Sequence, residues 1–353
     1  MIDNDIIDKV RGSLIGGACG DAFGYPVEFI FSFKEIEVKY GIGGIAEYDL
    51  SYPWLSGARE GGSVLISDDT QMSLYTAEAL IESHKSGRDL LQTISEAYLA
   101  WYGHQVGESV KISYCSRLSE IEELNQRRAP GNTCLSALSA VSNGRAAYNQ
   151  SKGCGGIMRV APIGIFGAVH KWTLHKTAGI AGESAEITHL HPLSTYSSAA
   201  LAIIVQECIE TDNVDPVTFQ NIVENSIRIV EEVYGENSPN MNEFKDVIYN
   251  ALSLFDSQQE DWEIIETKLG GGWIAEETLA IAVFSVARHI DDFAGCMKCA
   301  VNHGGDSDST GAVAGNIIGA IIGYDMIPKK FTETLQFRDL ILSYSDALSA
   351  CNK

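Results

Sequence analysis

The chain has 353 residues, 45% of them hydrophobic and 20% charged, and a formal net charge of −22. That balance belongs to a packed globular protein rather than a disordered one, and so negative a surface excludes general binding to nucleic acid or anionic membrane, which need a basic face to displace counterions. An anionic ligand would have to be held by local devices: metal ions, helix N-termini or a few chosen cations.

The N-terminal stretch MIDNDIIDKVRG is acidic and lacks the apolar core of a secretory signal, so a cytoplasmic protein is expected. Gly12, Gly16, Gly20 and Gly24 then recur at every fourth position. Glycine costs a helix interior about 1 kcal/mol relative to alanine. A row of this spacing lies on one helix face and offsets that cost where it lets a second backbone approach closely. Pro26 ends the helix, and Glu28 follows in GDAFGYPVEF. Lys34–Ser63, rich in glycine and aromatic residues, reads as a long irregular segment suited to gating substrate or docking a partner. Within it Gly43–Tyr48 is the one stretch with the look of a short strand.

Beyond SDDT, the segments Thr70–His84, Thr195–Glu210, Val217–Tyr234 and Ala275–Ile290 carry apolar residues three or four apart, the helical period. Gly153–Gly156, leading into GGIMR, reads as a loop whose backbone N–H groups suit an anion, with Arg159 adding a cation. The eight cysteines are scattered. Cys296 and Cys299 form a CxxC, but no second pair completes a zinc site, so both read as free core thiols. A second glycine row, Gly311, Gly315, Gly319 and Gly323, runs through GAVAGNIIGAIIG. That stretch falls short of the roughly 20 residues a membrane span needs. It therefore reads as a core helix, packed against the first glycine row. No repeat, low-complexity tract or Pro/Ser-rich linker divides the chain. The expectation is an all-α protein with one domain over residues 1–353.

Three acidic positions stand out: Glu28, the pair Asp68 and Asp69, and the pair Asp306 and Asp308. Each has a plain structural explanation. Asp68 would cap the following helix with Gln71 completing a capping box. Asp306 and Asp308 would complement a helix macrodipole, and Glu28 would be a surface acid. A cap, however, needs one carboxylate, and SDDT and DSDS each supply two beside hydroxyl residues. Carboxylate and hydroxyl oxygens without histidine or cysteine suit Mg²⁺ or Mn²⁺ rather than zinc. Four aspartates from two loops suit a two-metal centre, whose ions lie about 3.5–4 Å apart.

GDAFGxxxEF, SDDT, GGIMRVAPIG, ITHxHP, GGGWIAEETL and NHGGDSDSTGAVAGNIIGA, in that order, resemble the ADP-ribosylglycohydrolase family, which includes the ADP-ribosylarginine hydrolases and the dinitrogenase-reductase-activating glycohydrolase. The likeness runs from about residue 11 to residue 328. It implies a compact orthogonal helical domain with a dinuclear metal cleft, two Mg²⁺ or Mn²⁺ ions, and removal of ADP-ribose from modified proteins. It places metal ligands at Ser67, Asp68, Asp69, Asp306, Asp308 and Ser309, with Glu28 and Asp69 as catalytic residues. Gly153, Gly155, Gly156, Arg159, His189, Gly271 and Trp273 become substrate contacts, although Cys154 stands where family members often have asparagine. The implied reaction is attack of a metal-activated water at C1″ of the distal ribose, most directly on ADP-ribosylarginine. O-linked ADP-ribose, on serine or a small molecule, is the enzymatic alternative. The other class is an immunity or binding protein that neutralises a cognate ADP-ribosyltransferase by docking.

Overall fold

A computed structural model of the chain describes residues 4–50 and 63–350. Among them the regular structure is helical, with two isolated β-bridges and no strand. The helices are α1 (Asn4–Gly24), α2 (Phe33–Tyr40), α3 (Asp68–Ser86), α4 (Leu90–Val106), α5 (Asn132–Ser142) and α6 (Ala161–His170). They continue as α7 (Leu174–Glu186), α8 (Pro192–Glu210), α9 (Pro216–Tyr234), α10 (Met241–Leu254) and α11 (Asp261–Ile264). The last five are α12 (Ala275–Arg288), α13 (Phe293–Val301), α14 (Ser307–Ile322), α15 (Lys329–Thr332) and α16 (Arg338–Ala350).

Local chemistry sets their ends. Asp89, Thr173 and Asp215 each accept a backbone N–H as N-caps of α4, α7 and α9, satisfying a donor that the helix leaves open. Proline occupies the first turn of α6, α8 and α9, where its missing N–H costs nothing. Gly87 and Gly107 close α3 and α4 in the left-handed conformation.

The two glycine rows meet. A Cβ on Gly16 would lie 2.3 Å from the Gly315 carbonyl oxygen, and one on Gly315 would lie 2.0 Å from the Gly16 oxygen. Gly12 with Gly319 and Gly20 with Gly311 repeat the reciprocal contact along the two helices. Ser13 Oγ donates to Asn316 O at 2.9 Å and Asn316 Nδ2 donates back to Ser13 O at 2.8 Å. Only backbones without side chains between them approach this closely, which is why both rows are glycine. The pair is flanked by a hydrophobic core that includes Ile15, Ile163, Ile281, Val313 and Ile317, all buried. No helix among the described residues is long and apolar enough to cross a membrane.

Three expectations change. The segment after Phe31 is not irregular throughout: Ser32 caps α2 by accepting from Glu35 N, and Lys39 lies in its last turn. Gly43–Tyr48 forms no strand; its backbone is held instead by Asn302, which bonds Ile45 N at 2.8 Å and Ile45 O at 2.9 Å. The remaining part of the expected loop, residues 51–62, lies outside the described residues. Finally, Ser67 rather than Asp68 is the N-cap of α3. Gln71 closes no capping box, since its side chain is turned to Leu124 O, Gln126 O and Trp101.

Candidate active site

The packing of α1 on α14 delivers the chemistry. Gly24 ends α1 against Ser307, where a Cβ would meet the Ser307 oxygen at 2.1 Å. Glu28, in the turn that follows, is thereby brought to the N-terminus of α14, where Asp306 and Asp308 sit. Ligand oxygens of these three carboxylates lie within 4.8 Å of one another. The start of α3 adds Asp68 and Asp69, so carboxylates from three distant segments share one cavity of about 320 Å³. All five are at most 7% exposed, which overturns the reading of Glu28 as a surface acid.

Asp21, which the sequence reading passed over, fixes this arrangement. It is fully buried near the end of α1 and accepts Ser67 N at 2.9 Å, Thr70 N at 3.1 Å and the Thr70 hydroxyl. It thus clamps the first turn of α3 onto α1 and aims Asp68 and Asp69 at the cavity. Its position within GDAFG, just after a glycine-row residue, was the available signal. Asp306 is itself the N-cap of α14, accepting from Ser309 N, and its own N–H is held by Gly271 O at 2.8 Å.

The electrostatics of the cluster are severe. Burial, then the charges of Asp306, Asp68 and Asp21, push the Glu28 carboxyl up to about 10, against a hydrogen bond shared with Asp308. Burial first and neighbouring carboxylates second hold Asp68, Asp69 and Asp308 well above the ordinary range. Five carboxylates in so small a volume ionise together only against cations. Glu28 Oε2 and Asp69 Oδ2 are buried without a hydrogen-bond partner, the state of acceptors that a hard cation would satisfy. The donor set, all oxygen apart from one flanking thiol, fits a divalent cation of the Mg²⁺ or Mn²⁺ kind. That thiol belongs to Cys154, which donates to Asp306 Oδ2 at 2.8 Å.

The expected site residues divide. Glu28, Asp68, Asp69, Asp306, Asp308 and Ser309 line the cavity, as do Gly153, Gly155, His189 and Trp273. Ser67 does not line it and spends its hydroxyl capping α3. Gly156 packs away from it, where a Cβ would lie 2.6 Å from Ser194 Oγ on α8. Gly271 acts one layer back through the Asp306 bond. Gly153 and Cys154 use their N–H groups internally, toward Ser151 Oγ and Trp273 O. That second bond and Ala275 N to Lys152 O at 2.8 Å hold the glycine loop beside the Trp273 segment. Trp273 faces Phe29 across the rim, their ring centroids 6.2 Å apart, and both rings are partly exposed.

Arg159 is the clearest departure. It has no exposed surface and lies behind the cavity wall, with its guanidinium carbon 4.1 Å from the Tyr98 ring centroid. It donates to Ser184 O at 3.2 Å and to Thr188 Oγ1 at 2.7 Å. Its effect on the cavity passes through that hydroxyl. Arginine can only donate, so Thr188 Oγ1 accepts from it; the same hydroxyl lies 2.8 Å from His189 Nδ1 and 3.5 Å from Ala185 O. The other ring nitrogen, Nε2, lies on the side of Gly153 and Gly155. Burial and the Arg159 charge lower the His189 pKa to about 3, so the ring is neutral.

A buried carboxylate cavity at the meeting of helix ends is a place that could hold a metal ion. The chain belongs to the ADP-ribosylglycohydrolase family, whose model matches residues 2–352. It is similar to the ADP-ribosylarginine hydrolase Tri1 of Serratia proteamaculans, 25% identical over 351 residues that cover 98% of this chain and 80% of that protein. It is also similar to the ADP-ribosyl-[dinitrogen reductase] glycohydrolase of Rhodospirillum rubrum, 26% identical over 353 residues, 96% of this chain and 94% of that one. A solved structure described as an ADP-ribosylglycohydrolase-related protein complex has the same fold, with a TM-score of 0.65 at 22% identity, covering 99% of this chain and 100% of that one.

Proposed function

We propose that this protein hydrolyses the bond between ADP-ribose and an arginine side chain of a modified protein. The observation that carries the reading is the convergence of Glu28, Asp68, Asp69, Asp306 and Asp308 on one cavity, with Glu28 Oε2 and Asp69 Oδ2 unpartnered. Asp68, Asp69, Asp306, Asp308 and Ser309 would hold two Mg²⁺ or Mn²⁺ ions. When bound, such ions supply positive charge that orients hydroxyl groups of a ribose and raises the acidity of a water.

The chain's own residues do the rest. Glu28 Oε2 accepts the proton of the attacking water, a role that a carboxylate fills once nearby cations restore its ionised form. Neutral His189 offers the ligand a hydrogen-bonding ring edge without adding charge. Phe29 and Trp273 present apolar faces at the rim, suited to a flat base or to the stem of the modified side chain. The arginine linkage is preferred because the Serratia relative is named for it; O-linked ADP-ribose, on serine or a small molecule, is the alternative substrate. The test incubates the protein and Mg²⁺ with arginine-linked and serine-linked ADP-ribosyl peptides and measures ADP-ribose release. Release from the serine peptide alone would replace the arginine assignment, and release from neither would remove the hydrolytic reading.

A further inference from the structure

The CxxC that found no partner in the sequence finds two in the fold. Cys299 on α13 turns its sulfur toward His289, just past α12, and Asp261, at the start of α11. One ligand atom from each of the three lies within 4.8 Å of the others. Part of this group is an ordinary ion pair: Arg288 Nε meets Asp261 Oδ1 at 2.5 Å, and His289 Nε2 meets Asp261 Oδ2 at 2.9 Å. The sulfur belongs to the same network, since the Cys299 thiol is hydrogen-bonded to the Asp261 carboxylate. A cation held between Asp261 Oδ2 and His289 Nε2 would take the place of the hydrogen bond that now joins them.

We propose that Asp261, His289 and Cys299 form a second metal site, for a borderline-soft divalent cation such as Zn²⁺, separate from the oxygen-lined cavity. Nitrogen, thiolate and carboxylate are the three donor types that Zn²⁺ takes, with bonds of about 2.0–2.3 Å. Those bond lengths put tetrahedral ligands about 3.5 Å apart, so small side-chain shifts close the observed group. Mg²⁺, which demands oxygen, is refused by the same donors.

Two surroundings support the assignment. Ser285 Oγ lies 3.2 Å from the Cys299 sulfur and can donate to its thiolate. On the other side of the ring, Asp292 Oδ2 and His289 Nδ1 lie 2.5 and 2.9 Å from the point where a Cβ on Gly295 would sit. A carboxylate near the second ring nitrogen orients a metal-bound histidine, and glycine at 295 keeps that space clear. The side chains of His289 and Asp261 are 26% and 28% exposed, which gives the cation a path in. Binding releases the Cys299 thiol proton to solvent, and the ring proton of His289 moves from Nε2 to Nδ1, the side of Asp292, as Nε2 takes the metal.

Such a cation would brace the segment that supports the cavity. Trp262, next to Asp261, stacks on Phe33 with centroids 4.8 Å apart. Glu266, one turn further, accepts the N–H of Phe33 and that of Gly304, the latter at 2.9 Å. Phe33 follows Glu28 and Gly304 precedes Asp306, so one carboxylate ties both acid-bearing stretches to the braced segment.

The test titrates the full chain with Co²⁺, a spectroscopic stand-in for Zn²⁺, in saturating Mg²⁺ to fill the oxygen-lined cavity. The expected result is one bound equivalent with a thiolate-to-cobalt charge-transfer band in the near ultraviolet. Cys299→Ser should abolish the band, and Cys154→Asn should leave it in place. His289→Gln, at a partly exposed ring, serves as a second variant should Cys299→Ser not fold. It should weaken binding by at least the about 10–100-fold that a lost outer-shell partner costs. Absence of the band, its persistence in Cys299→Ser, unchanged affinity in His289→Gln, or its loss in Cys154→Asn would each overturn the site.

Discussion

Replacing Gly315 by alanine tests whether the glycine rows are the structural hinge of the site. At an unobstructed helix position the change should stabilise by about 1 kcal/mol, because alanine is the better helix former. At Gly315 the new Cβ would lie 2.0 Å from the Gly16 oxygen and 2.5 Å from its carbonyl carbon. An ordinary C···O contact is about 3.3–3.6 Å, so α1 and α14 would have to separate by more than about 1 Å. A gap of about 0.5–1 Å already forfeits a quarter to a half of each dispersion contact along the interface. The atom met is backbone and cannot swing aside, so the cost belongs at the upper end of the about 1–3 kcal/mol typical of overpacking. With about 2.1 cal/mol/K of unfolding entropy per residue and 353 residues, the melting temperature should fall by about 1–4 °C. Calorimetry and a urea midpoint measure this, with Gly179→Ala on α7 as the control, since a Cβ there meets nothing within 4 Å. The control should hold or gain stability. A Gly315→Ala protein that melts at or above the wild-type temperature would refute the reasoning.

Chelation should abolish ADP-ribose release while leaving the far-ultraviolet helical signal in place; full activity in excess chelator would exclude a metal requirement. Glu28→Gln should lower the release rate by about 10²–10⁴-fold, the usual worth of a general base, with melting unchanged or raised because a crowded buried acid is gone. Normal turnover in that variant would remove Glu28 from the chemistry. In chelator, stability should also depend on pH in a definite direction. Glu28 titrates at about 10 in the folded chain against an ordinary 4.5, so the folded state holds the proton more tightly. Its contribution is complete below 4.5 and is lost as pH rises toward about 10. Melting temperature in chelator should therefore fall across that window, and Mg²⁺ should flatten the fall; a parallel decline in both conditions would contradict the assignment of cations to this cluster.

What the sequence disclosed and what it withheld follow from how local each signal is. The long helices show themselves through apolar spacing, and the two glycine rows announce each other because eight such positions have no other compensation. The acid pairs were legible for a similar reason: two carboxylates with flanking hydroxyls exceed what a cap requires. Asp21 was not, because a lone aspartate near a helix end is commonplace until its three donors from Ser67 and Thr70 are seen. Arg159 misled because an arginine beside glycines suggests an anion, whereas its partners, Ser184, Thr188 and Tyr98, are spread over three other positions of the chain. Helix α2 was hidden by the glycines that follow it, and the capping serine at position 32 was the local sign that outweighed them. The grouping of Asp261, His289 and Cys299 had no sequence signature, since no two of these residues share a short spacing.

The union of α1 with α14 also carries a consequence for biosynthesis. Ser13 and its partner Asn316 are 303 positions apart, so the first helix leaves the ribosome long before its mate exists. At about 5–20 residues per second, that interval is about 15–60 s. Throughout it, an apolar, glycine-studded segment has no backbone to lie against, and glycine gives it little helical propensity of its own. The acidic cavity, whose Glu28 and Asp308 come from the two ends of this wait, can be assembled only once the start of α14 has emerged. Through that interval the unpaired α1 segment is exposed to misassociation, and a holdase that recognises Asn4–Gly24 would meet its client there.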